Sequence, residues 1–296
     1  MGENPTEVEE LTKKFRLAFA GNYFTKAAVE MALWDIAGKA EGLPLYDVLG
    51  GKVREFVPTK WSVSGVDPEK ATDIARWAVA QGFKAIKVKV GIDPDGDVAR
   101  VKAVREAIGT EIKLGVDANG GWSSVDAIAT IKRLKEFGIY FAEQPISPDF
   151  PDQLAEVRNS IHVPVIADES IFTLKDARVI AALKSADVLS IYVGKSGGIT
   201  ESIKIAHFAQ SHGLKCTIGS NLELGVGSAA MVHFALASRG VTAEEFPCDL
   251  IGPLFYEDDI VQERSLIKPG EARASDQPGL GVELDEEKVE RYRVKD

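Results

Sequence analysis

Lys84-Ala-Ile-Lys-Val-Lys-Val90, Leu114-Gly-Val-Asp-Ala-Asn119, Tyr140-Phe-Ala-Glu-Gln-Pro145, Val165-Ile-Ala-Asp-Glu-Ser170 and Ile191-Tyr-Val-Gly-Lys-Ser-Gly-Gly198 decide the reading of this chain. In each, a short apolar run leads to one charged residue: Lys89, Asp117, Glu143, Asp168 and Lys195. Successive charges lie 28, 26, 25 and 27 positions apart, and a helical pattern follows each. One strand, one helix and two short loops take roughly 25–35 residues. A charge at the end of every strand, once per unit, is the layout of a (β/α)-barrel active site, where the C-terminal strand ends converge on one mouth.

The same rhythm extends in both directions. Strands are expected over 57–63, 85–90, 113–117, 140–143, 163–168, 188–193, 215–219 and 249–254. Eight strands close a barrel, and 296 residues exceed the usual minimum for one. Lys87 and Lys89 are two apart on one strand, so both side chains point into the barrel. Helices are expected at 5–15 and 25–40, ahead of any strand. The second carries Ala28, Met31, Ala32, Ile36 and Ala37 as an apolar stripe and stops at Gly42-Leu-Pro. Residues 1–51 therefore read as a helical layer outside the barrel, 52–256 as the barrel, and 257–296 as a tail ending in a short polar helix.

Composition narrows the function. The net charge of −10 leaves no electrostatic footprint for nucleic acid, so an anionic substrate must be drawn by local lysines and a metal. No apolar run reaches the length of a membrane helix, and the N-terminus has no basic or apolar leader region. Cys216 and Cys248 show no metal-binding spacing and read as reduced, packed thiols. Cytoplasm is the expected location.

Asp117, Glu143 and Asp168 end neighbouring strands. Three facing carboxylates repel unless a cation sits between them. Oxygen donors of this kind suit Mg2+ or Mn2+ rather than zinc. Lys89 and Lys195 fall nearly opposite each other across the mouth, with Lys87 as a supporting charge. Two bases flanking a metal-held substrate fit proton abstraction next to a carboxylate, with metal and positioned charge stabilising the enediolate. Glu223, 28 residues past Lys195, is expected to face the mouth and bond a substrate carboxylate or a lysine. Glu169 and Asn119 are expected behind the ligands as orienting partners. His162, His207, His212 and His233 all fall away from strand ends and are read as structural or surface residues.

These motifs together resemble the enolase superfamily and, within it, the muconate lactonizing enzyme subgroup. The resemblance also rests on Ala32-Leu-Trp-Asp-Ile-Ala-Gly38 and Leu49-Gly-Gly51, so it spans nearly the whole chain. It implies a TIM-like barrel of the modified enolase type beside a capping domain. It further implies Mg2+ on Asp117, Glu143 and Asp168, with Lys89 and Lys195 as acid/base pair, as is general for that superfamily. Glu143-Gln-Pro-Ile-Ser147, Ile251-Gly-Pro-Leu254 with Glu257-Asp-Asp259, and Pro278-Gly-Leu-Gly-Val-Glu-Leu-Asp285 lean towards muconate cycloisomerases. N-acylamino acid racemases, dipeptide epimerases and o-succinylbenzoate synthases share the catalytic set. Family members begin with a strand-rich capping portion. This chain starts within its helical part, so weak or absent activity is expected unless that portion is restored. The tail is expected to pack back on the cap, the substrate to be a small carboxylate, and the enzyme to be a homo-oligomer.

Two other classes remain open from the residues. A phosphate-binding barrel would use Gly219 and Gly225–Gly227 as an anion nest after the seventh strand. A non-catalytic barrel would need no lysines opposite three acids.

Overall fold

The computed structural model describes residues 2–263 and 266–294. Met1, Arg264, Ser265, Lys295 and Asp296, which belong to the expected cap and tail, lie outside the described residues. Helices α1 (Val8–Ala18), α2 (Tyr23–Glu41) and α3 (Leu45–Val48) come first. A strand–helix alternation follows: β1 (Val57–Pro58), β2 (Trp61–Val63), α4 (Pro68–Gln81), β3 (Ala85–Lys89), α5 (Pro94–Ile108), β4 (Lys113–Asp117) and α6 (Ser124–Leu134). It continues through β5 (Ala142–Glu143), α7 (Pro151–Ser160), β6 (Val165–Ala167), α8 (Leu174–Leu183), β7 (Val188–Ile191), α9 (Ile199–Ser211), β8 (Lys215–Ile218) and α10 (Gly225–Ala237). The tail adds β9 (Ile267–Lys268), β10 (Glu271–Ala272) and α11 (Glu286–Tyr292).

Strands β2 to β8 form one parallel sheet in sequential order, each pairing with the next. The register sets the site: Lys89 lies opposite Asp117, and Asp117 opposite Glu143. The fold is thus the expected (β/α)-barrel, with two corrections at its seam. The predicted first strand is split. Val57–Pro58 turns away to pair antiparallel with β10, and only Trp61–Val63 joins the barrel. The predicted eighth strand over 249–254 does not form, because Gly252–Leu254 is a 3-10 turn containing Pro253. Gly252 also lies so close to the loop after β8 that a Cβ would sit 2.1 Å from the Glu223 carbonyl oxygen. The seam is closed by single bonds: Cys248 N donates to Pro58 O (2.8 Å), Lys60 N to Cys248 O (2.9 Å) and Asp249 N to Ile218 O (2.8 Å).

Local chemistry explains several helix starts. Asp67, Asp93 and Ser123 accept from the third residue beyond, and Pro68 and Pro94 occupy the first helical position. Thr173 and Asp176 form a reciprocal capping box on α8. Ala71, Ala75 and Ala78 bring α4 close to the sheet, where Val63, Ile86, Val88, Leu114, Val116 and Leu189 are buried.

The N-terminal helices and part of the tail meet outside the barrel. Leu45 N donates to Gly279 O (2.8 Å), Gly279 N to Leu43 O (2.9 Å) and Leu280 N to Asp35 Oδ1 (2.8 Å). Gly38 is needed there, since a Cβ would lie 2.7 Å from Gly279 Cα. His233 of α10 joins the same contact: its Nδ1 accepts from Tyr46 N (3.0 Å) and its Nε2 lies 3.1 Å from Leu280 O. Cys216 and Cys248 are free thiols, both buried. Among the described residues no helix is long and apolar enough to cross a membrane.

Candidate active site

The C-terminal ends of β3 to β7 assemble a nearly dry cluster of charge. Lys87 is at its centre. Its ammonium lies 2.9 Å from Asp249 Oδ2, 3.1 and 3.2 Å from the Glu143 oxygens and 3.2 Å from Asp117 Oδ2. Burial alone would lower this lysine, but the carboxylates of Asp249, Glu143 and Asp117 outweigh it and hold the group well above its ordinary value. A lysine held this way suits a supporting charge.

Lys89, two residues on, reaches Asp117 Oδ2 at 2.6 Å and Asn119 Oδ1 at 2.7 Å. Its side chain is 32% exposed, so it faces the open mouth. Lys195 is buried. Its ammonium donates to Asp168 Oδ1 (2.5 Å), Asp168 O (2.7 Å) and Ser190 O (3.3 Å), and lies 3.9 Å from the Tyr192 ring centre. The two lysines thus rest on different carboxylates, and Lys89 shares Asp117 with Lys87.

The acids differ in how well they are compensated. Asp117 is desolvated, yet Lys87, Lys89 and the Asn119 amide bring it below the usual carboxylate range. Glu143 is pushed up to about 8 by burial, with Asp117 and Asp249 adding to the effect against Lys87 and Lys60. Asp168 accepts from Lys195 and from the Tyr192 hydroxyl (2.5 Å). Glu169 is raised mainly by burial. It accepts from Asn119 Nδ2 (2.8 Å), and its Oε2 is buried with no partner. Asn119 therefore links Lys89 to Glu169.

Glu223 is held within the loop after β8. Its carboxylate accepts from Ser220 Oγ and from Asn221 N (3.1 Å), bonds that stay within its own loop. The strand period places a residue near the mouth, but a loop's local hydrogen bonds decide where its side chain turns. The glycine nest is also taken: Gly225 N, at the start of α10, donates to both Asp259 oxygens (3.0 and 2.9 Å). A carboxylate of the chain itself occupies the place a phosphate would need.

Four residues of the site carry no signal in the strand period. Asp249 lies on the irregular closing segment, where Lys60 meets it at 2.9 Å and also donates to Pro247 O (2.7 Å). Tyr192 sits against Gly219, where a Cβ would come within 1.8 Å of the ring. Gln144 is fully buried. It accepts from Asp168 N (2.9 Å) and Ser170 N (3.2 Å) and donates to Ile146 O (2.8 Å), tying the ends of β5 and β6 together.

Comparison with known proteins matches this architecture. The family model described as "Enolase C-terminal domain-like" covers residues 70–288, and that of the "Mandelate racemase / muconate lactonizing enzyme, N-terminal domain" covers residues 1–50. The chain belongs to the mandelate racemase/muconate lactonizing enzyme family of the enolase superfamily. It is 32% identical over 295 residues to the N-succinyl-L-Arg/Lys racemase of Bacillus cereus, covering 99% of this chain and 78% of that one. It is 35% identical over 285 residues to an L-Ala-D/L-Glu epimerase of Clostridium acetobutylicum, covering 96% and 78%. The crystal structure of muconate lactonizing enzyme from Pseudomonas fluorescens complexed with muconolactone superimposes with a TM-score of 0.95 at 30% identity, covering 99% and 79%. These family relatives are a racemase, an epimerase and a lactonizing enzyme, and this chain is an isomerase of the same family.

Enolase-superfamily members generally use Mg2+. The residues here fit such an ion in kind. The donors are hard oxygens on adjacent strand ends, and Glu143 is short of positive charge even beside Lys87. Among the described residues no three acids are grouped closely enough to hold a metal ion, and Lys87 and Lys195 lie against them.

Proposed function

We propose that this chain abstracts or delivers a proton at the carbon next to a substrate carboxylate, most directly in muconate-type cycloisomerisation. The carrying observation is that Lys89 and Lys195 are seated on separate carboxylates, Asp117 and Asp168, with a buried acid cluster beside them. Asp117, Glu143 and Asp168 would hold Mg2+, with Mn2+ as a substitute. Bound there, the ion supplies positive charge where negative charge builds on the substrate carboxylate.

The chain's own residues account for the rest. In the lactonising direction one carboxylate of a diene diacid adds to a double bond. The electron pair moves into the other carboxylate as an enediolate. Lys89, exposed to the mouth, then transfers a proton from its ammonium to the α-carbon. Lys87 keeps its charge throughout and steadies the acids. Lys195 adds a fixed cation on the far side, held by Asp168 and Ser190.

A second reading draws on the same pair. With one lysine neutral and the other charged, one takes the α-proton and the other returns it to the opposite face, which is racemisation or epimerisation. Similarity to the racemase and the epimerase supports it.

Around this chemistry we read residues 1–51 as the helical part of a cap, 52–256 as the barrel and 257–296 as a tail that packs back on the cap. The bonds of Leu45 and Asp35 to residues 279 and 280 support that division. We further propose a cytoplasmic homo-oligomer acting on a small carboxylate, with neither nucleic acid nor membrane as partner. The two free thiols and the acidic charge support this.

Proton NMR in D2O with Mg2+ tests the proposal, offering cis,cis-muconate, N-succinyl-L-lysine and L-Ala-L-Glu in parallel. A singly deuterated lactone, lost in Lys89→Ala, is the expected result. Exchange confined to the α-carbon of an acylamino acid or dipeptide would move the reaction to the second reading. No exchange in any of them, with no thermal stabilisation by Mg2+, would reject both.

A further inference from the structure

The turn that carries Lys195 is fastened from outside the barrel. Helix α9 starts four residues after Lys195, and no side chain of its own segment caps it. Its first two amides donate instead to Glu30 of α2: Ile199 N to Oε2, and Thr200 N to Oε1 at 2.9 Å. Glu30 is fully buried. Gly198 has φ +128, and a Cβ there would lie 2.0 Å from Glu30 Oε2, so the turn has been left open for the carboxylate. The start of α2 adds two contacts on the same turn. A Cβ at Gly197 would be 3.4 Å from the Tyr23 ring, and one at Gly194 would be 3.0 Å from the Phe24 ring. Tyr23 also packs against Phe172, whose ring centre is 5.7 Å from the Lys195 ammonium.

Helices α4, α5 and α6 begin with a residue of their own segment as cap. The cap of α9 comes from another layer and as a desolvated carboxylate, which burial pushes above its usual range while the backbone bonds oppose that. A local serine or aspartate would satisfy the same amides at less desolvation cost. What Glu30 adds is a rigid link between the helical layer and the Lys195 turn. Among the described residues Lys89 is anchored instead through Asp117 and Asn119, within the barrel.

We propose that Glu30 is a positioning residue for Lys195: it locks the turn over residues 195–200 and so places the lysine's ammonium against the substrate carbon. The inference rests on Lys195 being one of the acid/base pair. Its test compares Glu30→Gln, Glu30→Asp and the control Asp35→Asn in the full chain with Mg2+. Asp35 is on the same helix but bonds Leu280 N in the tail.

Backbone hydrogen exchange read by mass spectrometry is the first measurement. In Glu30→Gln, exchange over residues 196–200 is expected to rise about tenfold or more, with 85–92 unchanged. Glu30→Asp, which keeps the charge, should recover part of the protection. The second measurement uses whichever of cis,cis-muconate, N-succinyl-L-lysine and L-Ala-L-Glu the native chain converts. There kcat should fall roughly tenfold to a hundredfold, with KM within about twofold. Asp35→Asn should lower Tm and leave kcat alone. Unchanged exchange over 196–200 would overturn the inference, and so would a kcat loss that Asp35→Asn reproduces. A native chain that converts none of these substrates and gains no thermal stability from Mg2+ would sink the reaction proposed above. Exchange over 196–200 would still decide whether Glu30 locks the turn.

Discussion

Replacing Lys87 by methionine deletes one ammonium and keeps an unbranched side chain of similar length. That ammonium touches Asp249, Glu143 and Asp117 at 2.9 to 3.2 Å, and the side chain is 4% exposed. Removing one partner of a buried ion pair costs about 3–5 kcal/mol, because the other charge stays buried. Three acids lean on Lys87, yet Lys60 still reaches Asp249 and Lys89 still reaches Asp117. Asp117 and Asp249, both held below the usual carboxylate range, stay ionised with one cation fewer each, so the loss of about one pair sets the magnitude. For 296 residues, an unfolding entropy of about 2.1 cal/mol/K per residue makes each kcal/mol worth about 1.6 °C. The expected fall in Tm is about 5–8 °C, read by scanning calorimetry at neutral pH without divalent metal. Added Mg2+ should recover more stability in Lys87→Met than it adds to the native chain, since a cation can take the vacated position. A fall under about 1 °C would refute the idea that Lys87 compensates these acids.

Two further predictions concern the frame around the site. Burial drives His233 down to about 4 from 6.5, and protonating Nδ1 would expel the Tyr46 amide that donates to it. The unfolded chain therefore binds this proton first. The stability is complete above pH 6.5 and drains as pH falls towards 4, reaching a loss of about 2 kcal/mol by pH 5. Urea midpoints from pH 7 to 5 should show that slope and flatten in His233→Gln; parallel slopes in the two proteins would count against it. Gly115→Ala would place a Cβ 2.2 Å from the Phe141 ring, on the neighbouring strand path. Overpacking of this kind costs about 1–3 kcal/mol, or a Tm lower by about 2–5 °C. An unchanged Tm would mean that the ring can move aside.

The sequence alone was enough for the barrel and for the five charges at its mouth. The reason is the fixed period of the βα unit. Once strands recur every 25 to 28 residues, the residue at each strand end is placed without knowing any long-range contact. Parity did the same for Lys87 and Lys89. Where regular structure stops, that reasoning stops too. Glu223 keeps the period, but its contacts with Ser220 and Asn221 come from the hydrogen bonds of one loop. The eighth segment closes the barrel through single backbone bonds, and Pro253 and Gly252 prevent the strand that the count of eight demanded.

Only the tertiary structure decided the partners. Lys60 and Asp249 meet from opposite ends of the barrel segment, and Tyr192 reaches Asp168 from the next strand. Gln144 and Asp168 are tied across two strands, and Glu30 reaches the start of α9 from a different layer. Each of these is a contact between residues far apart in the chain. Local periodicity says which way a side chain points but not what it meets. The charges were therefore legible in one dimension, while their compensation became visible only once the strands were wrapped into three.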